Sequence, residues 1–504
     1  MILGIDLGTT YSVGAYLNEK GEPQVITNME GSQITPSVVY FESETSVVVG
    51  QTAKDNSIIN PDDVVSAVKN YMGEKKIFMS SYGQEYSPEV VSSFILKKIV
   101  TDAQKRLDLT EEIKDVVITI PAYFTDAQRT ATEDAAKIAG LNLMGTINEP
   151  TAAALYYAVS TKLNHANILV YDLGGGTFDV TIIKIDDDDV VVKSTGGLSK
   201  VGGRFFDEEI VEYVRDYIED KYDVDLEDEE YMDAYQELYG RAEKAKWQLT
   251  NQEKATIAVR AGAVKENVVI TREQFEAIVA KLYKRTEYVV KKALKDAEIE
   301  ATELDKVILV GGSSKIPYIE KKLSELTGKS LSHEVHPDLV VAQGAALYGK
   351  QLMDKISNSE NEGKVIHDVC SHSIGIITID PITYKKINSI QIKRNTALPT
   401  FVKMPFRTAV DYQEKIELSI TEGEFKEVTD VAIISSTDII LPKNLVKGTK
   451  GEIHLQLDES QLVHVYIKIP TANYEEEFTF ERSANLSEAE VQMLTGIIAD
   501  YDVN

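Results

Sequence analysis

The chain has 504 residues, of which 27% are charged and 43% hydrophobic, and it carries a formal net charge of −28. Such acidity argues against general nucleic-acid binding, which needs basic groups to displace counterions. No run approaches ~20 uninterrupted apolar residues, the opening lacks a leader's basic and apolar regions, and the lone Cys370 cannot form an internal disulfide. The expected setting is the reducing cytoplasm, without a membrane partner.

In chain order, the first signal is the apolar run Ile2-Leu3-Gly4-Ile5, closed by Asp6-Leu7-Gly8-Thr9-Thr10 and followed by a β-rich stretch over 11–16. The same unit returns as Ile168-Leu169-Val170-Tyr171, Asp172-Leu173-Gly174-Gly175-Gly176-Thr177 and a β-rich stretch over 178–183. Glycines at a strand end let backbone N–H groups surround phosphate oxygens, and the aspartate before them can hold Mg²⁺ through water. Either loop alone also reads as an ordinary turn. Their repetition predicts two halves related by duplication, with a phosphate-binding cleft between them.

Thr125-Asp126-Ala127-Gln128 is a capping box opening a helix that ends at Gly140, and Thr271-Arg272-Glu273-Gln274 opens a longer one. In the latter, Phe275, Ile278, Val279, Leu282, Val289, Val290, Ala293 and Leu294 recur at helical spacing and are expected in the core. A third glycine turn, Gly311-Gly312-Ser313-Ser314, follows the strand at 306–310, and the Ala/Gly-rich helix after Pro337-Asp338 is expected to pack beneath it. Acidic runs at 186–189 and 216–233 read as a solvated loop and solvated helix faces.

At 356–363 the chain passes through a polar, glycine-ended run; before it strands and helices mix, after it the pattern is almost wholly β. Alternation over 416–421 and around 453–457 predicts strands with one buried face in a β-sandwich. Ser487-Glu488-Ala489-Glu490 caps one last short helix.

Segments 4–12, 120–129, 148–155, 171–180 and 307–317 resemble, in order, those of the DnaK-type heat-shock chaperones, the seventy-kilodalton heat-shock family. The resemblance implies an α/β actin-like ATPase domain of duplicated two-lobe fold over 1–355 and an interdomain linker over 356–368. A substrate-binding β-sandwich over 369–482 and a short helical tail over 483–504 would complete the chain. It implies ATP hydrolysis to ADP, with Mg²⁺ near Asp6 and Asp172, and K⁺ near Asp179. Lys69 and Glu149 would position the attacking water, with Thr177 near the γ-phosphate; such positioning and electrostatics dominate phosphoryl transfer. Backbone amides of Gly8, Thr9, Thr10, Tyr11, Gly174, Gly175, Gly176 and Thr177 would wrap the phosphates. Gly202, Gly203, Glu243, Lys246, Thr250, Gly311, Gly312, Ser313 and Asp338 would form the adenosine pocket. Trp247 lies where the family sets a long side chain beside adenine; a core tryptophan is the rival reading. Pro121, Arg129 and Asp368 would relay nucleotide state between domains. Ile376, Thr378, Phe406, Ile416 and Leu418 fall at peptide-pocket positions, against which stands an ordinary sandwich core. The implied partners are unfolded or extended polypeptides, a J-domain co-chaperone and a nucleotide exchange factor.

The chain also departs from the family. Its linker reads Lys364-Val365-Ile366-His367-Asp368, and the histidine is expected to weaken docking, more so when charged near pH 6. Gly145 replaces an arginine used to dock J-domain partners, and no long helical lid follows the β-domain, which predicts faster exchange of bound peptide. These losses point to a specialised chaperone or, as a second reading, a nucleotide-dependent regulator or scaffold binding one dedicated partner.

Overall fold

Two six-stranded sheets repeat one strand order. In the first, Ile2–Asp6 is central, with Asp115–Ile120 and then Asn142–Asn148 parallel on one side, and Tyr11–Leu17 and then Pro23–Val25 antiparallel on the other. In the second, His165–Leu173 takes the central place, flanked by Lys306–Val310 and Leu331–Ser332 in parallel and by Thr177–Asp186 and Asp189–Ser199 in antiparallel. Each glycine loop sits at the end of its sheet's central strand. The duplication legible in the two loops is thus a duplication of topology. The computed structural model describes all residues except 188, 333, 358–363, 381 and 479–484.

Central strands packed on both faces are apolar throughout: Leu3, Ile5, Ile168, Leu169 and Val170 are all fully buried. Both capping boxes form, opening the helices Asp126–Ile138 and Arg272–Asp296. The helix Val340–Ile356 departs from expectation. Only Pro337 and Asp338 ahead of it meet the third glycine turn, with Gly311 N–H donating to Pro337 O at 3.2 Å. The helix itself crosses the first sheet and the helix Glu149–Thr161 backbone to backbone: a Cβ at Gly4 would lie 2.2 Å from Ala346 N, and one at Gly344 1.9 Å from Ala152 O. Its small residues therefore serve helix and strand contacts, not the turn.

Beyond residue 369 lie two four-stranded antiparallel sheets. Ile374–Ile379, Lys386–Ile392, Lys415–Glu422 and Ala432–Ile440 form one; Thr400–Arg407, Lys450–Leu457, Val463–Ile469 and Tyr474–Phe478 form the other. Leu418, Ile420, Leu455 and Ile467 belong to their common core. Lys450–Leu457 alternates in burial as its sequence predicts. Lys415–Glu422 does not, because every residue from Leu418 on is buried. Its polar members are paired: Ser419 with Ser436 at 2.6 Å, Thr421 donating to Asn388 at 2.6 Å, and Glu422 accepting from the N–H of Asp126 at 3.0 Å.

Two segments tie this sandwich to the lobes. The polar run expected as a linker falls largely outside the described residues, but Val365–His367 after it is a strand, parallel to 189–191 at the edge of the second sheet. At the far end, the helix Glu488–Ala499 and the strand Asp502–Val503 return to the first lobe. The strand extends a small sheet built from Val38–Phe41, Ser46–Val49 and Val64–Ser66.

Candidate functional site: a double glycine loop around buried carboxylates

The loops meet between the lobes. A Cβ at Gly175 would collide with Thr10 Oγ1 at 1.9 Å, and one at Gly176 with Asn70 Oδ1 at 2.2 Å, so only glycine allows the two turns to close this tightly. Gly202 and Gly203 lie against the second loop, Gly203 N–H donating to Gly174 O at 2.9 Å; the Ser313 hydroxyl donates to the same oxygen at 2.8 Å. In the first loop, Gly8 N–H donates to Ser12 Oγ at 3.2 Å, and Gly8 O accepts from the Ser37 hydroxyl at 2.7 Å. Thr9 is buried, whereas Thr10, Tyr11 and Thr177 are half-buried.

Beneath the loops lies a charged cluster. Lys69 is 5% exposed and forms an ion pair with Glu149 at 2.5 Å. Phe124 lies under its ammonium, 5.6 Å from the ring centre. Asp6 accepts from the Thr119 hydroxyl at 3.1 Å, and Asp179 from Tyr123 N–H at 2.9 Å. Burial, followed by the charge of Glu149, pushes the carboxyls of Asp6 and Asp179 up to about 7 and raises that of Asp172 as well. Three buried carboxylates facing a fourth, with Lys69 beside them, are short of positive charge. That deficit fits a divalent cation held by Asp6 and Asp172.

Of the residues expected at an adenosine pocket, Lys246 is buried, donating to Gly203 O at 2.8 Å and pairing with Asp207 at 2.6 Å. Asp338 pairs with Lys315 at 2.5 Å, beside Gly312. Glu243 forms an ion pair at 2.9 Å with Lys54 of the helix Gln51–Asn56, joining the rims of the two lobes. Thr250 turns its hydroxyl back to Lys246 O at 3.1 Å. Trp247 is 56% exposed, which removes the core-tryptophan reading. Lys54 and Asp207 carried no signal in the sequence: each is one charged residue on a helix, and its partner lies 189 or 39 positions away.

The relay residues also converge. Pro121 and Arg129 are buried; the Arg129 guanidinium donates to Ala122 O, Phe124 O, Asn148 Oδ1 and Ser371 Oγ at 3.1–3.3 Å. Asn148 in turn donates to Asp368 at 2.8 Å. Asn148 caps the helix whose first residue is Glu149, so one peptide unit separates the interface from the charged cluster. His367 sets Nε2 3.0 Å from an oxygen of Asp189, with both side chains about half exposed. Gly145 lies on the strand Asn142–Asn148, where a Cβ would meet Leu352 at 3.0 Å. Of the peptide-pocket positions, Leu418 is in the sandwich core; Ile376, Phe406 and Ile416 pack partly against it, and Thr378 is half-buried.

A duplicated two-lobe fold closing glycine loops over buried carboxylates defines a phosphate-binding, cation-dependent protein. The family model described as Hsp70 protein matches residues 2–78 and 74–501, nearly the whole chain, and the chain belongs to that family. Its members are ATP-hydrolysing chaperones that bind ATP or ADP with Mg²⁺ and act on unfolded polypeptides. Among the described residues, no helix is long and apolar enough to cross a membrane.

Proposed function

We propose that this chain is a DnaK-type chaperone whose actin-like ATPase domain, residues 1–355, controls peptide binding by the β-domain, residues 369–482. The connection runs through 356–368, and 483–504 is a short helical tail. The observation that carries the reading is the adjacency of Asn148, bonded to Arg129 and Asp368, and Glu149, paired with Lys69. A shift of Glu149 toward an attacking water would move the N-terminus of its helix, and with it the hydrogen bonds that hold Asp368.

In this reading the loop amides bind the phosphates and Lys69 neutralises charge developing on the γ-phosphate. Glu149 accepts a hydrogen bond from the attacking water, while Thr177 orients the leaving phosphate. Asp6 and Asp172 would hold Mg²⁺, which would neutralise charge on the phosphates; Asp179 would hold a K⁺ ion. Gly202, Gly203, Glu243, Lys246, Trp247, Thr250, Gly311, Gly312, Ser313 and Asp338 line the nucleoside end.

The second reading, a regulator or scaffold for one dedicated partner, is favoured by the packing of Ile376, Phe406, Ile416 and Leu418 into or onto the sandwich's own core, which leaves little open slot. A panel of unrelated apolar peptides, measured by fluorescence anisotropy on the intact chain with ADP and with ATP, separates the two. Several peptides binding, each more weakly with ATP, supports the chaperone. Hydrolysis without binding of any peptide sinks it in favour of the dedicated partner.

A further inference from the structure

A basic pocket opens in this acidic molecule where the second lobe meets the sandwich. Its volume is about 460 Å³, within the range of small-molecule sites. The helix Arg272–Asp296 contributes Lys284, Arg285, Tyr288 and Lys292; Tyr123 comes from the loop ahead of helix Asp126–Ile138, and Arg394 from the sandwich. Gly196 and Gly197 form a floor without side chains, and no carboxylate is on the wall. Lys284, Arg285 and Lys292 make no ion pair among the described residues. Arg394 binds Asp296 at 2.8 Å and Thr195 O at 3.1 Å through Nη2, yet its Nε is buried without a hydrogen-bond acceptor. Acids close to the pocket are engaged: Asp179, behind Gly197, accepts from Tyr123 N–H at 2.9 Å, Glu287 pairs with Lys291, Glu422 accepts from the N–H of Asp126, and Glu424 from Ser373.

Three cations of one helix without an ion-pair partner repel one another, and a buried donor without an acceptor, here Arg394 Nε, is costly. Both penalties are relieved by one ligand that brings negative oxygens. The two tyrosines, with Leu198 and Val289 as apolar wall, suit a flat body attached to that anionic group. We propose that this pocket binds a small organic oxyanion, a phosphate or carboxylate borne on an aromatic or similarly flat group. Because the lobe supplies three of the cations and the sandwich the fourth, such a ligand binds the docked arrangement better than the separated one and stabilises it by linkage.

Phenyl phosphate is the probe, titrated calorimetrically into the intact chain with its nucleotide cleft already saturated by Mg-ADP. The expected result is one saturable site that weakens as salt rises and loses at least tenfold in affinity in Lys284→Glu/Lys292→Glu. Both residues are exposed, so ADP affinity and circular dichroism should be unchanged. Hydrogen exchange over 281–295 and 393–396 should slow when the probe is present. The proposal is overturned if phenyl phosphate shows no saturable binding, or if the double variant binds it equally well. Binding of poly-glutamate without binding of phenyl phosphate also overturns it, since the face would then be a polyanion dock.

Discussion

Single side chains here act mainly through what burial does to their charge. Lys69 and Glu149 are both buried and paired, so neither is free to reorganise cheaply in water. Removing the ammonium by Lys69→Ala should leave ADP affinity largely intact and slow single-turnover ATP hydrolysis by roughly 10²-fold, the scale of one lost transition-state contact. Unchanged single-turnover hydrolysis would rule out the assigned role. His372 offers a second, pH-dependent case. It lies at the interface, its Nε2 3.0 Å from Tyr123 O and its ring 4.1 Å from that tyrosine's, and burial lowers its pKa from 6.5 to about 4. Between those values a solvated His372 takes up a proton and a docked one does not, so docking is strongest above pH 6.5 and weakens as pH falls toward 4. The full window amounts to about 3 kcal/mol. Asp368, raised by burial, works in the opposite sense but only toward the carboxylate range. Opening at 371–373, read as hydrogen exchange relative to the intrinsic amide rate at each pH, should therefore rise on going from pH 7 to 5, and His372→Asn should flatten that rise. An equal rise in both proteins would discount His372.

At the scale of elements, the helix Glu488–Ala499 and strand Asp502–Val503 have more consequence than their length suggests. Val491, Ile498 and Tyr501 are buried in the core of the first lobe, with Tyr501 3.3 Å from the Tyr86 hydroxyl and its ring 5.3 Å from that of Phe94. Lys97 donates to Ile498 O and Tyr501 O at 3.1 and 3.0 Å, and Asn504 exchanges backbone hydrogen bonds with Val47 and Val49. Ile498→Ala should thus destabilise the first lobe by about 2–4 kcal/mol, against less than about 0.5 for the exposed Met493→Ala, read from urea midpoints of tryptic resistance over 38–106. Similar midpoints for the two variants would show that the segment only rests on the lobe. The helix was legible from Ser487 and Glu490, whose capping box is local. Its destination was not, because a strand of two residues carries no periodicity and its partner lies over 450 positions away. Lys415–Glu422 shows the same limit: its alternation predicts a solvated face, but Asn388, Ser436 and the helix start at Asp126 fill that face and supply the hydrogen bonds water would have made.

Across the whole molecule, several polar contacts hold the sandwich on the lobes, beside the apolar anchor Val369. Arg394 pairs with Asp296, Asn395 accepts from Thr195 N–H, Glu422 caps the helix at Asp126, and Asn485 donates to Ala127 O. The glycine loops were readable in the sequence because each is contiguous and its chemistry is set by its own residues. This interface was not, since it is assembled from single residues far apart in the sequence. Polar interfaces of this kind suit a docking equilibrium better than a permanent joint, because water replaces each lost contact. Arg129 is the residue on which that equilibrium should turn: 4% exposed, it satisfies acceptors on the lobe and on Ser371 of the sandwich, and burial lowers the pKa of its guanidinium. In Arg129→Ala the bond to Ser371 across the interface is lost, and the lobe acceptors, unpaired in either state, are reached by water only when the interface opens, so undocking becomes favoured whatever the nucleotide. The expected outcome is ADP affinity within about threefold of the parent, faster exchange at 368–373, and the same peptide affinity in ADP and ATP. Arg129→Lys, which keeps the charge but loses the planar fork, should fall between the two. A parent-like difference between the ADP and ATP states in Arg129→Ala would show that coupling bypasses this hub and runs instead through the strand Val365–His367.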